Sequence, residues 1–189
     1  MKKKIRFAYN APVVLSFVLL CLCATTLGAV TNHASTQLLF SVYRSPLLNP
    51  LTYVRCFAHV LGHGGFDHFI GNAMYLLLMG PMLEEKYGAK VILKVILFTA
   101  FVTGVVHCVL WGGATLCGAS GVVFAFIVLS SFTAFKEGEI PLTFILVVIL
   151  FIGKEFYNGF TVIDNVSNLT HILGGVVGSV AGYSLNRKK

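Results

Sequence analysis

Two polar residues with complementary chemistry stand at the beginnings of apolar stretches in this sequence. Ser120 lies in the tetrapeptide Gly-Ala-Ser-Gly at positions 118–121 and is followed by the apolar run Val122–Leu129. His171 lies further along the chain, at the start of another apolar stretch. A serine hydroxyl paired with an imidazole base is the minimum equipment for nucleophilic acyl transfer. Because polar groups within membrane segments are usually functional, the pair indicates a protease that works inside a bilayer.

Ser120 is expected in the first turn of a helix. Backbone N–H groups are unpaired there and the helix dipole favours negative charge, which suits a developing oxyanion. A plain helix-capping serine between packing glycines is the alternative, and the tetrapeptide alone does not separate the two. Val122 stands where the nucleophile elbow G-x-S-x-G needs its second glycine, so a soluble α/β-hydrolase is excluded.

His171 shares one helix face with two glycines. Gly174 and Gly178 follow it at positions i+3 and i+7. Small residues at this spacing let another helix approach closely, and a general base must come within ~3 Å of the group whose proton it takes. The glycines therefore predict how His171 reaches its partner. The alternative is a helix-terminal histidine near the membrane interface, with glycines that serve packing alone.

His68 and Asn72 lie four residues apart in an earlier apolar stretch, hence one turn apart on one helix face. With His68 near the outer end of the helix, both side chains can point into one hollow as hydrogen-bond donors to an oxyanion. The alternative is a mutual hydrogen bond that satisfies two buried polar groups.

The composition is that of a membrane protein. Of the 189 residues, 57% are hydrophobic and 11% are charged, against about 25% charged residues in a typical soluble domain. A spanning helix needs about 17–25 residues, and six crossings fit, the second and fourth being short. The predicted fold is an all-α polytopic bundle of six transmembrane helices in one membrane domain, residues 11–185, between cytoplasmic ends at 1–10 and 186–189. The spans are expected at about 11–30, 67–84, 90–110, 119–135, 140–156 and 169–185.

The net charge of +7 is distributed asymmetrically about these spans. Of the 14 basic residues, 11 lie at the two termini or at the second and fourth junctions, which leaves Arg44, Arg55 and Lys154 on the other side. An excess of Lys and Arg marks cytoplasmic segments. Both termini are therefore expected in the cytoplasm, in a bacterial-type plasma membrane, with the site around Ser120 opening to the outer face. The charge encodes orientation, which argues against nucleic-acid binding.

The first apolar segment has a second interpretation. The basic residues before it, an apolar run to Ala24 and small residues through Ala29 also fit a signal peptide. A true first span is favoured, because the apolar run continues to Val30. The long outer connection that follows, Thr31–Phe66, is expected to be a functional loop or lid whose middle lies in the membrane interface.

The length of the fourth span sets the depth of Ser120. From Ser120 to Phe135 there are 16 residues, or about 24 Å of helix, whereas the hydrocarbon core is about 30 Å thick. Since Lys136 and Glu137 hold the inner end in water, Ser120 is expected below the outer surface. The preceding connection must dip inward to meet it, which requires surrounding protein or a water-filled cavity. The sequence thus predicts a wet hollow with a serine at its floor.

Taken in order, these residues resemble the rhomboid family of intramembrane serine proteases over nearly all of residues 50–185. The resemblance rests on His59, His63, His68 and Asn72, on Gly118 to Gly121 around Ser120, and on His171 with Gly174 and Gly178. It implies that Ser120 is the nucleophile and His171 its general base, without a third, acidic residue. It also implies an oxyanion hole made of His68, Asn72 and the Ser120 backbone N–H.

The same resemblance implies supporting roles. His59 and His63 would help to hold water near the site, and Phe124 would support the histidine ring. Arg55 matches the family's loop arginine, and Glu84 matches its acidic residue at the inner end of the second span. Structural roles are expected for both, and for the glycines Gly118, Gly121, Gly174 and Gly178. Neither a metal nor any other cofactor is implied. The implied partners are single-span or polytopic membrane proteins, cut in or near their transmembrane segments, and the surrounding lipid bilayer.

The chain departs from the family pattern at three positions. Val54 stands where the family often has a tryptophan, Phe124 where it often has a tyrosine, and Thr170 where it usually has an alanine. None of these changes removes a chemical group from the serine–histidine pair. They bear on loop anchoring and on rate.

Other classes of function compete with proteolysis. A rhomboid-like pseudoprotease, which binds membrane clients without cutting them, would have lost the serine or the histidine, and both are present. His59 and His63 are spaced as zinc ligands, but the H-E-x-x-H motif is absent and no carboxylate lies between them to act as a base. A small transporter would show internal symmetry or broken helices, and the sequence shows neither.

Overall fold

A computed structural model describes residues 8–110, 114–134, 139–161 and 165–187, and within these ranges the chain is helical. The helices are α1 Pro12–Val30, α2 Ala34–Leu39, α3 Pro50–Ala58, α4 Phe66–Tyr87, α5 Ala89–Leu110, α6 Ser120–Ser131, α7 Leu142–Thr161 and α8 Asn165–Asn186. A 3₁₀ turn, Phe132–Ala134, extends α6, and Val42 pairs with Leu116 in an isolated antiparallel bridge. The two terminal segments expected in the cytoplasm and the charged junction at 135–138 fall largely outside the described ranges.

Each expected span coincides in position with one of the helices α1, α4, α5, α6, α7 and α8. Among the described residues, α1 and α5 are long and apolar enough to be recognised as membrane-crossing helices, and α6 with its 3₁₀ turn forms a shorter apolar helix. Crossing of the membrane by all six stays a prediction.

Helix α4 is longer than the sequence suggests. It has 22 residues, whereas hydropathy marks it as one of the short spans, ending at residue 84. The difference arises because polar residues occupy both ends of the helix. Asp67 in its first turn and Lys86 in its last turn interact favourably with the helix dipole, so the helix continues where hydropathy places a loop.

The connection between α1 and α4, expected as a loop, contains the helices α2 and α3. Pro50 begins α3, and the Asn49 side chain accepts a hydrogen bond from the Leu51 N–H at 3.0 Å, which satisfies one of the unpaired donors of the first turn. Arg55 lies in α3 and is buried. Its Nε donates to the Leu38 carbonyl at 2.8 Å, so this side chain holds α3 against the end of α2.

Helix α6 lies at the centre of the bundle. It packs against α4, α5, α7 and α8, and Val122, Phe126 and Leu129 are completely buried. A helix that is apolar all round has to be surrounded by other elements. Because Ser120 is the first residue of this central helix, it lies at the point where the core of the bundle meets the connection from α5.

Small residues bring α8 into backbone contact with α6. A Cβ atom added at Gly174 would collide with the carbonyl oxygen of Gly121, and one added at Gly178 would collide with that of Ala125. The glycine face that the sequence predicts for close helix approach is therefore the face that meets α6.

The N-terminus of α1 is fixed by a carboxylate from α4. Both oxygens of buried Glu84 accept backbone hydrogen bonds, from Val13 at 3.0 Å and from Val14 at 2.9 Å. These are donors that the first turn of a helix leaves unpaired, and a negative charge there is favoured by the dipole. The first turn of α1 and the last turn of α4 therefore lie at the same end of the bundle.

Candidate active site

The turn before α6 places Ser120. Gly118 has a φ of +132°, a backbone conformation that residues with a Cβ rarely adopt, and its N–H donates to the His59 carbonyl at 2.9 Å. Ala119 is the N-cap of α6, and its side chain makes no capping hydrogen bond. Ser120 is the first helical residue rather than the N-cap, and it is half-buried. Its role as a nucleophile stays a prediction. The N–H groups of this first turn have no acceptor within the helix.

His171 lies on the face of α6 that begins with Ser120. Its ring stacks on Phe124, with ring centroids 4.2 Å apart and an interplanar angle of 26°. Phe124 follows Ser120 by one helical turn, so the two side chains project from the same side of α6. The imidazole therefore stacks on the side of α6 from which Ser120 also projects, one turn away. The roles of Ser120, His171 and Phe124 in catalysis stay predictions.

A second contact between α6 and α8 joins Gly121 and Thr170, the neighbours of Ser120 and His171 in the sequence. A Cβ added at Gly121 would lie 3.3 Å from Cγ2 of Thr170 and 3.6 Å from the Thr170 carbonyl oxygen. Thr170 is itself buried. The residue after the serine thus packs against the residue before the histidine, and the methyl group of Thr170 fills space beside Gly121 that alanine would leave less occupied.

His68 lies against the turn that precedes Ser120. A Cβ added at Gly118 would lie 2.9 Å from Cε1 and 3.0 Å from Nε2 of the His68 ring, so glycine is needed there for space as well as for conformation. The His68 ring also meets the edge of His63, with centroids 5.0 Å apart. His68 is exposed on its outer side.

Asn72 contributes an unpaired donor near the same turn. Its side chain is buried, and its Nδ2 has no hydrogen-bond partner. The amide borders a small cavity that is also lined by His63 and Ala119. A buried donor without an acceptor costs about 1–3 kcal/mol, and such a group is explained where a ligand supplies the missing acceptor. Because Nδ2 is unpaired, Asn72 donates no hydrogen bond to His68. The oxyanion-hole role of the two residues stays a prediction.

His63 contacts the turn that precedes Ser120 through a hydrogen bond. Its Nδ1–H donates to the Leu61 carbonyl at 3.1 Å, and its Nε2 accepts from the Ala119 N–H at 3.5 Å. This pattern requires the neutral ring. Burial and the nearby His68 lower the pKa of His63 to about 4, against a smaller opposing effect of the hydrogen bond to Leu61. The contact to the residue before Ser120 makes His63 a positioning group, while its role in water retention stays a prediction.

His59 lies deeper. Its Nε2–H donates to the Ala100 carbonyl at 3.0 Å, with the Thr103 hydroxyl 3.4 Å away. Burial lowers the pKa of His59 to about 4, an effect that the bond to Ala100 partly opposes. Nδ1 of His59 is buried without a partner. An unpaired ring nitrogen can accept a hydrogen bond, and the role of His59 in water retention stays a prediction.

The sequence reading missed a polar stripe on α5. Thr99, Thr103 and His107 recur at intervals of four residues and are all buried. Nε2 of His107 lies 2.8 Å from the Ala114 carbonyl in the connection that leads to α6. The i, i+4, i+8 spacing of polar residues in an apolar helix was the available signal. This stripe ties α5 to the segment that carries Ser120.

Arg55 and Val54 differ in their surroundings although they are adjacent. The Arg55 guanidinium lies 4.4 Å from the centroid of the Tyr43 ring, in addition to its bond to Leu38. Val54 is 50% exposed. A tryptophan at that position would extend further from α3, so the departure at Val54 removes contact area on the outside of the bundle and leaves the inner contacts of α3 in place.

Comparisons with known proteins identify the family to which the sequence is similar. The family model described as Rhomboid domain matches residues 50–188. Rhomboid-related protein 1 of Caenorhabditis elegans is 30% identical over 132 residues, which cover 64% of this chain and 36% of that protein. The chain therefore spans little more than a third of the length of this relative.

Proposed function

The chain belongs to the rhomboid family, and on that premise we propose that it is an intramembrane serine endopeptidase that cleaves membrane proteins in or near their transmembrane segments. The observation that carries the proposal is the stacking of His171 on Phe124, one turn from Ser120. It supports a base next to a nucleophile at the mouth of the helical bundle.

In the proposed mechanism the Ser120 hydroxyl attacks the scissile carbonyl carbon. His171 accepts the hydroxyl proton as general base, and the tetrahedral intermediate collapses when the imidazolium returns that proton to the leaving amine. The substrate's new amino terminus departs and an acyl-enzyme remains on Ser120. Water, deprotonated by His171, then attacks the ester carbonyl carbon and forms a second tetrahedral intermediate. When this intermediate collapses, His171 returns the proton to the serine oxygen, and the carboxylate product is released.

The negative oxygen of the intermediate needs donors that are already in place. The first-turn N–H of Ser120, the Asn72 amide and the His68 ring surround the turn at Gly118 and Ala119. An unpaired Asn72 Nδ2 is what such a site requires before the substrate arrives, because a preorganised donor costs no rearrangement during reaction. The positive end of the α6 dipole adds to the same effect.

The proposal includes a topology. Six crossings with both termini in the cytoplasm place the start of α6 towards the outer face, following the basic residues at the inner junctions. The hydrogen bonds from α1 to Glu84 put the start of α1 and the end of α4 at the same end of the bundle. This supports α1 and α4 as two consecutive crossings that begin and end on the same side of the membrane. The mechanism uses neither a metal nor another cofactor.

Cleavage of a model single-span membrane protein by the purified chain in detergent tests the proposal. Ser120→Ala and His171→Ala are expected to abolish cleavage, while Ser130→Ala, on the same helix, and His33→Ala, on the outer connection, keep it. Equal cleavage by all variants would contradict the proposal. Binding of the model substrate without cleavage by the unmodified chain would identify a pseudoprotease instead.

A further inference from the structure

An apolar groove lies between α1 and α5. It has a volume of about 590 Å³, within the range of about 300–1,000 Å³ that is typical of pockets for small ligands. Phe17 and Leu20 of α1 form one wall, Leu93 and Leu97 of α5 form the other, and Phe57 with Leu61 closes one end. No residue of the proposed catalytic site lines it, so it requires its own explanation.

The groove opens sideways. Leu20, Phe57 and Leu97 border it and are 54%, 43% and 45% exposed. Its two walls are the helices whose length and hydropathy mark them as membrane-crossing. An opening between two such helices faces hydrocarbon, and the bilayer offers acyl chains to fill it. The occupant that this position favours is therefore a lipid tail.

The height of the groove corresponds to one leaflet. Its wall on α1 runs from Pro12 to Leu20 and its wall on α5 from Leu93 to Ala100, or about 12 Å and 10 Å of helix. One half of the hydrocarbon core is about 15 Å thick. The end of α3 and the residues after it cover the top of the groove, so an acyl chain that enters from the start of α1 and α5 ends beneath α3.

Charge and interfacial residues mark the open end of the groove. Lys90 lies one turn before Leu93 on α5, with Lys94 beside it, and both are exposed. Tyr9, three residues before α1, is 59% exposed and its hydroxyl is 3.0 Å from that of Ser16, which borders the groove. Tyrosines of this kind lie at headgroup depth, and lysine side chains extend towards the interface to reach a phosphate.

We propose that this groove binds one acyl chain of an anionic phospholipid from the cytoplasmic leaflet, with its phosphate at Lys90 and Lys94. The bound chain supports α3 from below, because Phe57 of α3 forms part of the groove and stacks on Phe101 of α5 at a centroid distance of 5.6 Å. The inference rests on the proposed orientation and does not depend on proteolysis.

Retention of lipid through purification tests the inference. Protein carrying Ser120→Ala, which preserves the groove, is purified in mild detergent, exchanged into dioleoyl phosphatidylglycerol and re-isolated, and bound lipid is counted by native mass spectrometry. Leu97→Trp fills the groove, whereas Phe98→Trp places the same ring on the neighbouring exposed position outside it. We expect one lipid on the parent and on Phe98→Trp, and about tenfold lower occupancy on Leu97→Trp, equivalent to about 1.4 kcal/mol.

Headgroup selectivity provides the second readout. Dioleoyl phosphatidylcholine is expected to be retained less well than the phosphatidylglycerol by the parent, and Lys90→Gln with Lys94→Gln is expected to remove the difference. Equal loss of lipid from Leu97→Trp and Phe98→Trp would show only an annular lipid and would overturn the inference. Equal retention of phosphatidylglycerol and phosphatidylcholine by the parent would overturn it as well. Since all proteins in this test carry Ser120→Ala, its result is independent of whether the chain is a protease.

Discussion

At the scale of single residues, the proposed chemistry depends on groups that are kept ready at some cost. Asn72 is buried with an unpaired amide nitrogen, and His59 is buried with an unpaired ring nitrogen. Each forgoes a hydrogen bond that it would make with water in the unfolded chain. Such costs are common at functional sites and rare elsewhere, which is why these atoms carry more weight than their residue types do.

Asn72→Ala is expected to separate activity from stability. Removal of one oxyanion donor lowers kcat by about 10²–10³. Stability is expected to be unchanged or slightly higher, because the mutation removes an unpaired buried donor rather than a hydrogen bond. Cleavage kinetics and thermal unfolding in detergent measure the two effects.

Asn186→Ala is the matched control. Its amide donates to the Gly182 carbonyl at 2.8 Å near the end of α8, far along the helix from His171. This variant is expected to lower the unfolding temperature and to leave kcat unchanged. A lower unfolding temperature for Asn72→Ala, with kcat unchanged as in Asn186→Ala, would mean that Asn72 has a structural role alone.

Acidification is expected to destabilise the fold through His59 and His63. Their pKa values of about 4 lie below the ordinary value of 6.5, so between these limits the unfolded chain binds protons that the folded chain does not. Stability is therefore complete above pH 6.5 and declines as the pH falls towards 4, by about 3 kcal/mol for each histidine. The unfolding temperature at pH 5 should lie below that at pH 7.5.

His63→Gln tests the assignment of this pH dependence. A glutamine amide can donate to the Leu61 carbonyl and accept from the Ala119 N–H, yet it does not titrate. We expect a smaller fall in unfolding temperature between pH 7.5 and 5 for this variant, and the full fall for His33→Gln, whose side chain is exposed. The same fall in all three proteins would show that other groups are responsible.

At the scale of helices, the contact of α8 with α6 positions His171, the proposed base. Gly174 lies one turn after His171 and meets the carbonyl oxygen of Gly121, the residue after the serine. The distance between these helices is therefore set by the backbone itself, and a single added methyl group must push them apart. Closely packed protein interiors transmit such a shift to neighbouring groups and do not absorb it.

Gly174→Ala is thus expected to reduce both stability and activity, although alanine favours helix formation by about 1 kcal/mol over glycine. Overpacking of this kind costs about 1–3 kcal/mol, and a displacement of about 1 Å at the reacting groups can cost 10²-fold in rate. Gly71→Ala in α4 is the control, because a Cβ there meets nothing within 4 Å. Normal cleavage by Gly174→Ala would contradict the positioning role of this contact.

The sequence anticipates some of these elements better than others. The spacing of Gly174 and Gly178 after His171 predicts a close helix contact, which is present, because a helical period translates directly into a face. The end of α4 and the helices α2 and α3 were not anticipated. An apolar stretch in a sequence ends where polar residues such as Glu84 begin. Glu84 nevertheless lies buried within α4, because its carboxylate contacts α1. Such contacts between distant segments cannot be read from local composition.

At the scale of the whole molecule, the resemblance to the rhomboid family is confirmed by the family match over residues 50–188. What the sequence does not reveal is how the surrounding chain closes the site. The His59 carbonyl accepts a hydrogen bond from the Gly118 N–H, which is distant in sequence, and His107 lies against the Ala114 carbonyl seven residues further on. These two contacts join the residue after α3, helix α5 and the turn before α6. The proposed catalytic pair is predicted from motif and spacing, whereas the hydrogen bonds that hold the surrounding segments together appear only in the tertiary structure.

The central claim is that His171 activates Ser120, and labelling with a fluorophosphonate tests it without knowledge of a substrate. The reagent reacts with an activated serine and leaves the phosphonyl group on its oxygen, which peptide mass spectrometry locates. We predict modification of Ser120 in the unmodified chain, loss of that modification in His171→Ala, and its retention in His33→Ala. Equal labelling of Ser120 with and without His171, or no labelling of Ser120 in the unmodified chain, would contradict the account.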